Sequence, residues 1–445
     1  MGATRLAAKR EIFGWAMFDF ANQGYTLLII TVIYGDLFTR VIVGDAPDYR
    51  LGNLLWSWAL AISYLLVVLA NPVCGAIMDF TASRKRFLFA SYLLTVVATA
   101  LLYVVEPGWV LLAMLLIIVS NFAYAIGEGF IASFLTDLGP RSALGWISGL
   151  GWGLGYIGGL VAAAFALVFL GEVSLENYDT VRWVGPFAGL FFLLAAIPTF
   201  VWLRERGSAR IRPAGQGLLS IGFGRLQRTW REVNRFKDLR YLLISVFFAM
   251  AGVYIIIAFS FIYGAQVIGW DEDVRVLMFI TVQITAALGA VGFGWLQSHI
   301  GARTTYLITL GLWLLAILAI WQTLALTELM RDWFAVQWQA QYVFLVAGVL
   351  AGASLGSSQS ATRALVGVLT PQGKAAEFFG LWGMASKLAA VFGIVGLGLM
   401  QWGLGLADAI VFCLLLFVLA IVAVLPMREA RGMAVAELWQ DEQSE

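Results

Sequence analysis

The chain is short of charge. Only 12% of its 445 residues are Asp, Glu, Lys or Arg, about half the share of a soluble protein. It has one histidine, His299, which excludes a His-rich metal site. Its two cysteines, Cys74 and Cys413, both lie in apolar stretches, and neither a disulfide framework nor a zinc site can be built from them. A net charge of +1 leaves no excess of cation for nucleic acid. The start, MGATRLAAKREIFGW, lacks the short apolar core of a cleavable signal, so the first apolar run is expected to act as the insertion signal. With one histidine there is no visible nucleophile–base–orienter group, so no enzyme is expected, and no cofactor. No nucleotide-binding domain is visible, so ATP is not expected to drive the protein directly.

What is present is apolar: 61% of the residues are hydrophobic. A bilayer core takes about 20 apolar residues per helix. Twelve such runs can be read, at 11–43, 53–78, 87–105, 108–136, 142–170, 183–203, 239–268, 275–297, 303–326, 339–367, 376–401 and 405–427. This predicts an all-α polytopic membrane protein with twelve transmembrane helices. Residues 1–203 form an N-terminal six-helix half and 204–238 a basic linker. Residues 239–427 form a second six-helix half, and 428–445 a tail. One side of the expected topology receives 21 of the 28 basic residues, so both termini and the linker are expected in the cytoplasm of a plasma or inner membrane. The linker reads as a strap held near anionic headgroups.

The halves repeat each other. GAIMDFTASRKR (75–86) follows the second run and GWLQSHIGAR (294–303) the eighth. GPRSALGWISG (139–149) follows the fourth and TPQGKAAEFFG (370–380) the tenth, with Gly149 matching Gly380. Two matches in the same order indicate a duplicated six-helix unit, a common plan for secondary transporters. GLGYIG (153–158) fits a dinucleotide fingerprint only as a string. It lies within a membrane run, and Gly151, Gly155 and Gly159 recur at the spacing of close helix packing.

Four charges lie deep inside the runs: Asp19, Glu128, Arg363 and Lys387. Each falls about 12–15 Å from the cytoplasmic end of its helix at 1.5 Å per residue. Charged groups at that depth are costly and mark substrate or ion paths. Asp19 shares a helix face with Asn22 and Gln23, Glu128 with Tyr124 and Asn121, and Arg363 with Gln359, Ser360 and Gly356. The alternative is permanent pairing that locks the bundle.

The layout and the 75–86 loop resemble the major facilitator superfamily. Its loop motif reads Gly-x-x-x-Asp-Arg-x-Gly-Arg-Arg. Gly75, Asp79 and the basic run Arg84 to Arg86 match, while Phe80 and Ala82 depart from it, as does Ser298 in the second copy. REIFGWAMFDFANQGYT (10–26), WISGLGWGLGYIGG (146–159) and AAEFFGLWGMASKLAAVFG (375–393) look like its vacuole-effluxer-like branch, which includes amino-acid exporters. The resemblance implies a major facilitator fold, with the first, fourth, seventh and tenth helices lining a central cavity. It also implies a gating role for Gly75, Asp79 and Arg84, with the Asp79 carboxylate set against the start of the eleventh helix.

Together these readings give a secondary transporter, expected to act as a monomer, that moves a small polar or zwitterionic solute by alternating access. The substrate or coupling set is Asp19, Asn22, Gln23, Tyr124, Glu128, Gln359, Arg363 and Lys387. Glu128 is the better proton carrier, because Asp19 has two amides beside it. The alternative is a lipid or lipid-precursor transporter, for which the aromatic side chains of the seventh run would supply an apolar lining.

Overall fold

A computed structural model describes residues 5–45, 49–171, 173–207, 209–210, 215–231, 234–334, 338–371, 373–404 and 406–444. Parts of the predicted linker (208, 211–214 and 232–233) lie outside the described residues. Every regular element among the described residues is helical. In hydrocarbon this is one of only two ways to satisfy every backbone N–H and C=O within the chain.

Among the described residues eleven helices are long and apolar enough to cross a membrane. We number them as spans one to eleven: Lys9–Val43, Arg50–Thr81, Arg84–Val104, Val110–Asp137, Arg141–Ala166, Tyr178–Trp202, Lys237–Ile268, Glu272–Ile300, Ala302–Trp321, Ala340–Leu369 and Ala375–Leu397. A twelfth counts if Val411–Val424 and Glu429–Trp439, bent by 58°, are taken together. The apolar part is Val411–Val424, preceded by the short helix Leu406–Ala409, and we call it span twelve. The expected tail is itself a helix, Glu429–Ser444. It is anchored where Arg431 donates to both Asp238 oxygens, at 2.7 and 2.9 Å, and where Arg141 pairs with Glu437 at 2.6 Å. The sequence marks this stretch only as a tail. Its few apolar residues, such as the buried Ala436 and Trp439, form too narrow a stripe to stand out.

The chain divides into two compact units. Unit 1 holds residues Met1–Gly139, Leu154–Arg228 and Gly373–Met384; unit 2 holds Pro140–Gly153, Thr229–Gln372 and Ala385–Glu445. In unit 1, span four packs on spans two and three, and span six on spans one and three. In unit 2, span ten packs on spans eight and nine, and span twelve on spans seven and nine. The start of span eleven thus belongs with the first half, and the start of span five with the second.

The repeated glycines explain both placements. In unit 1 a Cβ at Gly75 would collide with the Ala376 carbonyl, and one at Gly380 would lie 2.8 Å from the Asn71 carbonyl. In unit 2 a Cβ at Gly149 would collide with the Ala290 carbonyl, and one at Gly294 would lie 2.6 Å from the Gly145 carbonyl. Each repeat therefore builds the same backbone-to-backbone crossing, possible only where no side chain intervenes. The GLGYIG stretch does the same work inside unit 1. A Cβ at Gly158 would collide with the Phe20 carbonyl of span one, which accounts for the string without a nucleotide.

Candidate functional site

The sequence-derived residues fall in both units. In unit 1, Asp19 and Asn22 are buried on span one and Gln23 is half-buried. The Asn22 Oδ1 atom is buried and accepts no hydrogen bond. On span four, Tyr124 donates to Glu128 Oε1 at 3.1 Å, and its hydroxyl lies 2.7 Å from Thr26 Oγ1 of span one. Tyr25 stacks on the Tyr124 ring with centroids 4.7 Å apart. Glu128 is therefore held by a tyrosine that span one positions. Asn121, read as part of the same face, instead donates to Ser63 of span two at 2.6 Å.

The gating residues also lie in unit 1. Asp79, two residues before the end of span two, accepts from the Ala376 N–H at 3.1 Å and the Glu377 N–H at 2.8 Å. These are among the first amides of span eleven, which have no carbonyl of their own helix to bond, and the helix dipole favours an anion there. Gly75, one turn earlier, lets the two backbones meet. Arg84 is buried and works elsewhere. It pairs with Asp137 at the end of span four and with Glu205 of the linker at 3.3 Å, and it donates to the Ser133 and Arg206 carbonyls. It holds the loop's shape. If Asp79 latches span eleven, Asp79→Asn should weaken that end by about 1–2 kcal/mol, a 5–30-fold shift in opening. Amide hydrogen exchange over residues 374–380 should then quicken while the rest of unit 1 is unchanged. Exchange equal to wild type across that segment would count against the latch.

In unit 2, Arg363 is buried on span ten. Its Nε donates to Ser148 Oγ at 3.1 Å and its Nη2 to the Ser148 carbonyl at 2.9 Å, and its guanidinium lies 5.2 Å from the Trp152 ring centroid. Ser148 Oγ donates in turn to the Ser360 carbonyl at 2.9 Å. Span ten thus grips the start of span five. Gln359 is half-buried one turn away. Lys387 is buried on span eleven, and its Nζ donates to Tyr254 Oη of span seven at 3.0 Å. Sequence reading missed Ser148 and Trp152 as partners, and it placed Tyr254 only among lining aromatics. A lone serine or tyrosine in an apolar run carries no periodic signal of its own. Ser298, at the place of Asp79 in the second repeat, bonds the Gly294 carbonyl of its own helix. Among the described residues no cluster of three His, Cys, Asp or Glu could hold a metal ion.

The family model described as "Vacuole effluxer Atg22 like" matches residues 140–437. The chain belongs to the Atg22-like vacuole effluxer family. An uncharacterized MFS-type transporter of Bacillus subtilis, YxiO, is 23% identical over 441 residues, covering 96% of this chain and 97% of that one. Autophagy-related protein 22-2 of Sclerotinia sclerotiorum is 24% identical over 262 residues, or 56% of this chain. The match spans only 39% of that fungal protein's length. Among solved structures, the proton:xylose symporter XylE has a TM-score of 0.70 at 15% identity and covers 96% of this chain and 99% of its own. A bacterial homologue of the iron transporter ferroportin has a TM-score of 0.69 at 14% identity, covering 94% and 98%. At such identity these likenesses show the fold, which is that of the major facilitator superfamily. This Atg22-like chain is accordingly a multi-pass membrane transporter and not an enzyme. Its family match takes in Ser148, Arg363 and Lys387, whereas Asp19 and Glu128 precede it.

Proposed function

We propose that this transporter exports a small zwitterionic, amino-acid-like solute by alternating access, with a proton as coupling ion. The observation that carries the reading is Asn22. Its buried Oδ1 lacks a donor and stands one helical turn from the Asp19 carboxylate. That acceptor suits an ammonium group, since an unmet buried acceptor costs about 1–3 kcal/mol that a donor on the solute removes. Lys387, buried in unit 2, is the cation we assign to binding a carboxylate. Glu128, already held by Tyr124, is the group we assign to the proton. The export direction is supported by the family description. The proposed membrane is the plasma or inner membrane. Both termini and the linker are placed in the cytoplasm, the side that receives most of the basic residues.

The test is thermal stabilisation of the purified protein by a panel of amino acids and lipids, followed by transport into proteoliposomes with and without a pH gradient. Stabilisation by soluble zwitterions and pH-driven flux are expected. Stabilisation by lipids alone would replace this reading with lipid transport. In the same vesicles a cysteine at Gln216 should be labelled only from the face opposite to one at Asp271, and labelling of both from one face would overturn the orientation.

A further inference from the structure

The linker contains a helix that the transport cycle as described does not use, Leu218–Arg231. Its side chains fall into three sectors. Ile221 and Gly222 are buried, and a Cβ at Gly222 would lie 2.9 Å from Ile77 and 3.1 Å from Val73 of span two. Beside that face Leu219 and Phe223, one turn apart, are 65% and 59% exposed. The remaining sector carries Gly224, Arg228 and Arg231, all exposed.

The place where the helix sits identifies what covers Leu219 and Phe223. Ile62, Leu66, Leu69, Val73 and Ile77 form one stripe on span two at helical spacing. The first three are exposed, Leu69 at 72%, as residues facing lipid are; the last two are buried, and Gly222 of the linker helix lies against them. The helix therefore continues a lipid-facing stripe. Val73 and Ile77 lie eight and four residues before Thr81, the end of span two, or about 6–12 Å inside it at 1.5 Å per residue. An interfacial amphipathic helix buries its apolar face about 5–10 Å into the headgroup and acyl boundary. The cations on the outer sector match the negative surface of an anionic leaflet.

We propose that Leu218–Arg231 is a membrane-docking helix that seats Leu219 and Phe223 among acyl chains and Arg228 and Arg231 on anionic lipid headgroups. On its protein side the same helix carries Arg225, whose Nη2 lies 3.4 Å from the Gly373 carbonyl and 3.5 Å from the buried Glu377 carboxylate. Lipid that seats the helix thereby holds Arg225 against the first turn of span eleven, beside Asp79. This last consequence rests on Asp79 acting as a latch, whereas the docking itself is independent of latch and substrate.

The experiment uses full-length protein in phosphatidylcholine vesicles with and without phosphatidylglycerol. Spin labels are placed at Leu219→Cys and at Gly224→Cys, where an added Cβ meets nothing within 4 Å. The Leu219 label should be relaxed by oxygen and shielded from a water-soluble nickel chelate, and the Gly224 label should show the reverse. Phosphatidylglycerol should deepen the Leu219 label, and Arg228→Gln with Arg231→Gln should abolish that response, at about fivefold in lipid preference per charge. Equal nickel access at both labels would overturn the docking and point to a soluble partner or open solvent. A phosphatidylglycerol response that survives loss of both arginines would overturn the headgroup assignment. Hydrogen exchange over 374–380, slowed by phosphatidylglycerol in the wild type but not in Arg225→Gln, reads the coupling separately.

Discussion

Lys387→Met should leave the protein folded and remove its transport. The Nζ donates to a neutral hydroxyl, that of Tyr254, so its loss strands no charge at that partner. What methionine cannot supply is the charge-assisted bond to a substrate carboxylate, worth about 1.5–3 kcal/mol, or roughly 10–150-fold in affinity. The competing account makes Lys387 one partner of a dry, permanent pair. Removing one member of such a pair costs about 3–5 kcal/mol, and a second substitution, Asp19→Asn or Glu128→Gln, should then restore what the first destroyed. Melting temperature and proteoliposome flux, measured on single and double variants side by side, separate the two. A steep loss of stability that returns together with flux in a double variant would sink the transport role.

Arg363→Met is expected to act the other way, on stability first. Its guanidinium makes two bonds to Ser148, one to the hydroxyl and one to the carbonyl. Charge-assisted bonds of this kind contribute about 1.5–3 kcal/mol each, so the variant should lose about 3 kcal/mol or more of what holds span five's start within unit 2. Arg363→Lys should recover only part of it, because an ammonium cannot reproduce the planar fork that meets both Ser148 oxygens. Ser148→Ala should show a smaller loss, since the carbonyl bond survives. The measurement is the melting temperature of the three purified variants, with ligand stabilisation alongside. A melting temperature equal to wild type, with stabilisation by zwitterions gone, would return Arg363 to the substrate set.

These expectations bear unequally on what could be read in advance. The position of Arg363 deep in an apolar run was plain, and so was its helix face with Gln359 and Ser360. Its partner was not, because Ser148 lies 215 residues away and span five's start packs outside its own half. Asp79 was legible for a different reason. The resemblance of its loop to the major facilitator motif implied a carboxylate set against the start of the eleventh helix, where the Ala376 and Glu377 amides meet it.

The sequence alone determined that the chain crosses the membrane as a series of apolar helices. Hydrocarbon forces each crossing to be a long apolar helix that meets its own backbone needs, so length and composition suffice to find it. The repeats marked Gly75, Gly149, Gly294 and Gly380 as matching positions, and the structure shows that each is a backbone crossing with no room for a Cβ. Only the tertiary structure decided which side chain answers which. A span's sequence tells which residues share a face but not how the helix is rotated against its neighbours, and that rotation is set by packing summed over many weak contacts. Arg363 on Ser148, Lys387 on Tyr254, the C-terminal helix anchored through Asp238 and Arg141, and the linker helix laid along Val73 and Ile77 all follow from it.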